Sequence, residues 1–97
     1  MKLLFNRKAV DESIEASNYY EAERRGLGRE FDDELDAALA TIVANPRMWP
    51  RDEVADVHRY RMTRFPYVIY YSVEPAAVTV YAIAHSSREP GYWLDRL

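Results

Sequence analysis

The sequence contains no cysteine, which excludes a disulfide framework, a thiolate zinc site and a cysteine nucleophile. Its two histidines, His58 and His85, are too few for a histidine-rich metal site. No apolar run approaches the roughly 18 residues that a membrane-spanning helix needs. The N-terminus lacks the long apolar stretch and the small-residue cleavage site of a signal peptide. These absences predict a cytoplasmic protein without a metal ion, another cofactor or a membrane partner.

The composition is typical of one small globular domain, predicted to span residues 1–97. Hydrophobic residues make up 48% and charged residues 30%, which excludes an intrinsically disordered chain. The net charge of −3 is unevenly spread, because residues 1–56 carry 8 Lys and Arg against 13 Asp and Glu, whereas residues 57–97 carry 5 against 3. This distribution argues against coating nucleic acid through bulk charge, and it allows a local basic patch in the second half.

The first half of the chain has a helical pattern. Residues 2–6 are predicted to form a short strand, followed by a helix over residues 8–25 that ends at Gly26. The buried stripe of this helix is predicted to be Ala9, Ser13, Ala16 and Tyr20. A second helix is predicted from apolar residues at three- and four-residue spacing, namely Leu27, Phe31, Leu35, Ala38, Leu39, Ile42 and Val43. It ends at Asn45–Pro46, and the short link predicts an antiparallel helical hairpin.

After a loop over residues 46–56, the hydrophobic period changes from 3.6 to 2, which indicates strands. The predicted strands are residues 57–65, 67–73 and 78–84, with a turn at 74–77 and a tail at 85–97. The sequence therefore predicts an α+β fold of order β-α-α-β-β-β, with the helical hairpin packed on one face of an antiparallel sheet and a short C-terminal tail. The other face must be covered by the tail, a ligand or a partner.

Three arginines lie within six residues of one predicted strand. Arg59 and Arg61 point to the same side of the sheet because strand side chains alternate, and Arg64 follows them. Neighbouring guanidinium groups repel each other unless an anion lies between them, and each offers a planar fork of donors that suits phosphate. The alternative is a solvated strand face paired with acidic residues of the first half.

A second group follows the last predicted strand, where His85 is succeeded by Arg88 and Tyr92. A histidine at a strand end is a candidate general acid or base near neutral pH. The arginine could stabilise a charged transition state, and the tyrosine could stack on a nucleic-acid base. The alternative for His85 is a hydrogen-bonded structural residue. The tyrosines of the apolar strands, Tyr67 among them, are interpreted as packing residues.

Two segments carry a resemblance to a known family. Residues 64–71 (RFPYVIYY) and residues 80–93 (VYAIAHSSREPGYW) together resemble the RelE/ParE superfamily, the toxins of bacterial type II toxin–antitoxin modules, which are often called plasmid stabilisation proteins. The resemblance covers the whole chain, including its length and its element order. It implies a RelE/ParE-like fold and a toxin that causes growth arrest until a cognate antitoxin neutralises it.

The resemblance implies two activities, of which the RelE-like ribonuclease is the first interpretation and gyrase inhibition is the alternative. RelE-like members are ribosome-dependent endoribonucleases that cut messenger RNA without a metal ion. In this chain Arg59, Arg61, Arg88 and His85 match their catalytic groups, and Arg64, Tyr67 and Tyr92 are the candidate substrate-binding residues. The central-strand arginine of RelE-like toxins falls on Tyr67, so Arg64 would have to replace it.

ParE-like members instead inhibit DNA gyrase without catalytic residues, and the net negative charge of this chain fits them better than entry into ribosomal RNA. A third hypothesis is a degenerate member that binds an antitoxin and poisons nothing. An antitoxin partner is expected under all three. The sheet face that bears Arg59 and Arg61 is predicted to be exposed and to attract an acidic, apolar partner segment.

Overall fold

The computed structural model describes residues 1–97 and has the predicted element order. The elements are β1 (Lys2–Phe5), α1 (Arg7–Glu23), α2 (Leu27–Ala44), β2 (His58–Arg61), β3 (Tyr67–Glu74) and β4 (Ala77–His85), and a short 3-10 turn (Leu94–Arg96) lies in the tail. Neither helix combines the length and the apolar character that crossing a membrane requires.

Polar side chains set the ends of the helical hairpin. The Asn6 side chain caps the start of α1. The helix ends at Glu23, so residues 24 and 25 lie outside it, although the predicted helix included them. The Glu21 carboxylate accepts the backbone N–H groups of Gly26 and Gly28 at 3.1 Å, and it thereby satisfies free donors at the start of α2. Gly26 has a φ of 88°, a conformation that favours glycine. The hairpin link is therefore held by one carboxylate and one glycine.

The sheet has the order β1-β4-β3-β2. β2 pairs antiparallel to β3, and β3 pairs antiparallel to β4, as predicted. β1 instead pairs parallel to β4, which the long connection through two helices and two strands permits. β2 is shorter than the predicted strand over residues 57–65. Its ladder ends where the Met62 N–H bonds to the Tyr67 carbonyl, and Pro66 has no N–H with which to continue it. The sheet is therefore mixed and short at its β2 edge.

The helices cover one face of the sheet with an apolar core. The predicted α2 stripe is buried at Phe31, Leu35, Ala38, Leu39 and Ile42, and α1 buries Ala9 and Ala16. An aromatic cluster joins both helices to the sheet, with ring centroids 4.7–6.2 Å apart, and consists of Tyr20, Phe31, Phe65 and Tyr67. Edge-on and offset contacts of this kind are the favoured aromatic geometries.

The opposite face of the sheet, called the open face below, carries the side chains of Arg59, Arg61, Val68, Tyr70 and Ala82. The tail covers part of it. Trp93 is only 2% exposed and stacks on Tyr70 with 4.5 Å between ring centroids, next to Ala82. Arg59 and Arg61 remain exposed beside this covered part. The sequence left open whether the tail, a ligand or a partner covers this face, and the structure shows that the tail covers part of it.

Candidate functional site

The basic pair of the open face lies on β2, as the alternation of side chains predicts. Arg59 stands opposite Tyr70 in the ladder and Arg61 stands opposite Val68. An Arg59 guanidinium N–H donates to the Arg51 carbonyl at 2.8 Å, which orients that side chain toward the loop before β2. None of the five ion pairs in the structure involves either guanidinium, so their charge faces the solvent.

His85 lies at the end of β4, on the side of the sheet that faces the helices. The Ser87 backbone N–H donates to His85 Nδ1 at 3.0 Å, and the Ser87 hydroxyl lies 2.7 Å from the same nitrogen. Because Nδ1 accepts, the neutral ring carries its proton on Nε2. The His85 ring also meets Tyr67 edge-on, with 5.2 Å between centroids. His85 is therefore oriented on two sides, and its Nε2 is the nitrogen free for a proton transfer.

Arg88 lies over the ring of Tyr92, with 3.8 Å between the guanidinium carbon and the ring centroid. No carboxylate forms an ion pair with Arg88, and an aromatic face attracts a cation without neutralising it. Burial, followed by the hydrogen bond and the charge of Glu12, raises the pKa of Tyr92 well above its ordinary value. Tyr92 therefore stays neutral at physiological pH and supports Arg88 as an aromatic platform.

Two clefts meet at the end of β4. The larger, of ≈ 600 Å³, lies between α1 and β4, and the smaller, of ≈ 150 Å³, opens on the open face. Both are lined by His85, Arg88 and Tyr92. The smaller also includes Arg61, and the larger includes Tyr67. Five of the seven predicted site residues are thus brought to these clefts.

Arg59 and Arg64 lie apart from the two clefts. Arg59 lines a separate groove of ≈ 710 Å³ next to the loop before β2, which it shares with Arg61. Arg64 forms an ion pair with Glu30 of α2 and lies over the Phe65 ring at 5.1 Å. The hydrogen bond from Arg64, followed by that from Arg24, lowers the pKa of the Glu30 carboxyl. Arg64 is therefore bound to the helical hairpin and lies away from the end of β4.

Tyr67, to which the resemblance assigns the position of the central-strand arginine, lies on β3 on the face toward the helices. It is buried within the aromatic cluster, and this burial raises the pKa of its phenol well above the ordinary value. A neutral phenol donates a hydrogen bond but supplies no positive charge to a phosphate. Tyr67 can therefore orient a ligand in the larger cleft without replacing an arginine electrostatically.

Several residues that line the larger cleft were absent from the sequence-based set: Glu12, Glu15, Tyr19 and Tyr20. They lie on α1, and only the apolar stripe of that helix was read from the sequence. Glu12 and Glu15 are one turn apart and share a helix face, which is the one signal that could have placed them together. No group of three or more histidine or carboxylate side chains is arranged to hold a metal ion.

Comparison with known protein families identifies one family. Residues 3–90 match the family described as the ParE toxin of the type II toxin–antitoxin system, parDE. No curated protein sequence matches significantly. Among solved structures, the chain resembles the chromosomal ParDE toxin–antitoxin system from P. aeruginosa, with a TM-score of 0.74 and 17% identity over 88% of this chain and 95% of that one. At this identity the structural likeness shows a shared fold.

Proposed function

Because the chain belongs to the ParE toxin family of type II toxin–antitoxin systems, we propose that it arrests growth by inhibiting DNA gyrase in the cytoplasm and that a cognate antitoxin neutralises it. The toxin inhibits by binding and performs no chemical step. One observation carries this proposal: Tyr67, a buried neutral phenol, occupies the strand position where ribonuclease relatives need an arginine. The Glu30 ion pair holds the nearest replacement, Arg64, on the helical hairpin.

The second candidate function is cleavage of messenger RNA on the ribosome. It is favoured by the smaller cleft, because Arg61, His85 and Arg88 line it together. An attack by a ribose 2′-hydroxyl on the adjacent phosphate needs a proton acceptor, a proton donor and cations around the phosphate. These three side chains could supply those roles, whereas Arg59 lines another groove.

A time course of induction in a bacterial host separates the two functions. Messenger-RNA integrity and plasmid supercoiling are followed in the same cells, and the supercoiling activity of purified gyrase is measured with added toxin. We expect intact messages, altered supercoiling and inhibited gyrase. Fragmented messages with normal supercoiling would replace this proposal with the ribonuclease. Normal growth in an induced culture would indicate a degenerate member.

A variant at the smaller cleft makes the same experiment more discriminating. For a gyrase inhibitor, His85→Ala removes no essential proton transfer, so we expect it to retain growth arrest. A ribonuclease that uses His85 as its acid would lose about 100-fold or more of its rate in that variant. Arg29→Ala is the matched control, since Arg29 is an exposed helix residue whose only ion pair is a 4.0 Å contact with Asp33.

The antitoxin is expected on the open face. Arg59 and Arg61 are exposed there without carboxylate partners, so an acidic segment would be attracted to them. Binding to the product of the adjacent small gene tests this expectation by titration calorimetry. The Arg59→Glu/Arg61→Glu variant should weaken binding, whereas Arg29→Glu should not. Equal affinity in both variants would place the antitoxin elsewhere.

A further inference from the structure

The outer edge of β4 is longer than the strand that covers it. β1 pairs with β4 only from Ala77 to Val80, because the chain turns into α1 after Phe5. β4 continues to His85, and the ladder with β3 shifts by one residue at Tyr81. The backbone groups beyond Val80 therefore point from this edge without a neighbouring strand, and buried groups of this kind need another partner.

Two side chains take the place of the missing strand. The Glu12 carboxylate, on α1, accepts the Ile83 backbone N–H at 3.0 Å. The Arg96 guanidinium, in the tail, donates to the Tyr81 carbonyl at 3.0 Å. Each side chain thus satisfies one backbone group of the uncovered edge. They come from opposite ends of the chain, so the edge of β4 joins the first helix to the last turn.

Glu12 and Arg96 also bind each other face to face. Arg96 Nη1 donates to Glu12 Oε1 at 2.9 Å, and Nη2 donates to Oε2 at 3.1 Å. The two side chains are only 9% and 13% exposed, for Arg96 and Glu12 respectively, unlike every other ion pair of the structure. Burial alone would lower the pKa of Arg96, but the hydrogen bonds and charge of Glu12 outweigh it and raise that pKa. Removing one partner would leave a buried charge.

The same carboxylate reaches Arg88 through one intermediate. The Tyr92 hydroxyl donates to Glu12 Oε2 at 2.6 Å, and the Tyr92 ring lies under the Arg88 guanidinium at 3.8 Å. Glu12 therefore accepts four hydrogen bonds in all, of which three come from the tail. The orientation of Arg88 depends on a ring that Glu12 holds in place.

We propose that Glu12 is a positioning residue whose carboxylate, by seating the tail against β4, fixes the Arg88 guanidinium at the two clefts for contact with the target. This inference rests on the proposed function, because it assumes that the toxin acts through a target bound at the end of β4. Glu12 itself does not have to touch the target. Tyr92 transmits the effect of Glu12 to Arg88, and this effect is lost when the tail detaches from β4.

The attachment of the tail to β4 can be measured in the absence of any target. In Glu12→Gln the charge is removed while the side-chain shape is kept, so the Ile83 amide should exchange with solvent about tenfold faster or more. The nuclear Overhauser contacts between the Tyr92 ring and the Arg88 side chain should weaken. Asp11→Asn is the matched control, because Asp11 is the preceding residue of α1, is exposed and forms no ion pair. Unchanged exchange and unchanged contacts in Glu12→Gln would overturn the inference.

A second variant separates the loss of the carboxylate from unfolding caused by an unpaired buried charge. Glu12→Gln/Arg96→Gln removes both charges, so that no buried ion is left unpaired. It should keep the dispersion of the core resonances while the tail resonances move toward unfolded values. A folded double variant with a fully seated tail would contradict the role of the carboxylate.

A double-mutant cycle then tests positioning against a general loss of stability. Arg88→Ala is expected to weaken growth arrest about tenfold in the wild-type background and to have little further effect in Glu12→Gln, because coupled residues are not additive. Equal losses in both backgrounds would assign Glu12 a structural role only. If gyrase is unaffected by the wild-type toxin while Glu12→Gln still releases the tail, the proposed target fails and the seating by Glu12 stands.

Discussion

The two faces of the sheet are covered in different ways. The helical face is covered by two whole helices through apolar side chains, with the aromatic cluster of Tyr20, Phe31, Phe65 and Tyr67 at its centre. The open face is covered in part by a tail of a dozen residues through Trp93, and the ion pair of Glu12 with Arg96 attaches this tail to the edge of β4. The first face uses many weak contacts, whereas the second depends on a few specific ones.

This difference assigns most of the stability to the helical face and the exposed charged groups to the open face. Burial of many apolar side chains is non-directional, and it supplies the largest favourable part of the free energy of folding. A surface held by one carboxylate and one indole leaves its neighbours exposed, and Arg61 and Arg88 are among these neighbours. The open face is accordingly where binding groups remain free, and the predictions below test this division.

The largest effect is expected on the helical face. Phe31→Ala removes a fully buried ring from the centre of the aromatic cluster and should lower the free energy of unfolding by about 4 kcal/mol. Urea denaturation followed by circular dichroism measures the change. Phe31→Leu is the matched variant, because it fills most of the volume, and it should lose less. A loss below about 1 kcal/mol for Phe31→Ala would show that this face is not the main source of stability.

The corresponding change on the open face is Trp93→Ala. It removes the indole that stacks on Tyr70 and should cost about 3 kcal/mol, at the lower end for a buried aromatic ring, because the tail can open alone. Hydrogen exchange distinguishes the two faces. Amides of β4 beyond Val80 should lose protection while those of α2 keep theirs. Uniform loss of protection would mean that both faces unfold as one unit.

The sequence was sufficient for the helical face because its pattern is periodic. The apolar spacing of α2 identified Phe31, Leu35 and Ile42, and these residues are buried as predicted. The element order and the resemblance to the RelE/ParE superfamily were likewise available, and the match of residues 3–90 confirms the family. Local patterns and family motifs are written along the chain, so no tertiary information was required.

The open face could not be predicted in the same way. Glu12 and Arg96 are 84 residues apart, and each resembles an ordinary surface charge in the sequence. On the helical face, the pairing of Arg64 with Glu30, 34 residues away, was equally hidden in the sequence, which offered Arg64 as a candidate substrate-binding residue. Specific polar contacts depend on three-dimensional placement that no periodicity records. The predicted site residues Arg61, Tyr67, His85, Arg88 and Tyr92 gather at the end of β4, whereas the Glu12 carboxylate that binds Tyr92 and Arg96 was missed.

A smaller effect is expected from a polar contact at the rim of the helical face. The Tyr71 hydroxyl donates to the Pro46 carbonyl at 2.7 Å, and it ties the end of α2 to β3. Tyr71→Phe removes this bond without changing the ring and should cost about 1 kcal/mol. Thermal unfolding measures it, with the exposed Tyr19→Phe as control. Because the ring still packs, a loss as large as that of Phe31→Ala would contradict the division between apolar and polar contributions.

The smallest expected effect depends on pH and concerns the ion pair that joins Arg64 to the helical face. Hydrogen bonds from Arg64 and then Arg24 lower the pKa of Glu30 below its unfolded value of 4.5. Between the two pKa values the unfolded chain binds more protons than the folded one, so stability rises with pH there. The contribution of Glu30 is therefore complete above pH 4.5 and is lost as the pH falls through the folded pKa.

Glu30→Gln cannot titrate, so its deficit relative to the wild type should be present at neutral pH and should shrink in acid. Urea midpoints between about pH 3 and pH 7 measure this difference, and Glu34→Gln on the same helix is the control, since Glu34 forms no ion pair. The deficit should also be smaller than that of Tyr71→Phe, because both partners of Glu30 are well exposed and screened by water. A deficit that is constant with pH would show that Glu30 acts through packing, and Arg64 would then be free to turn toward the end of β4.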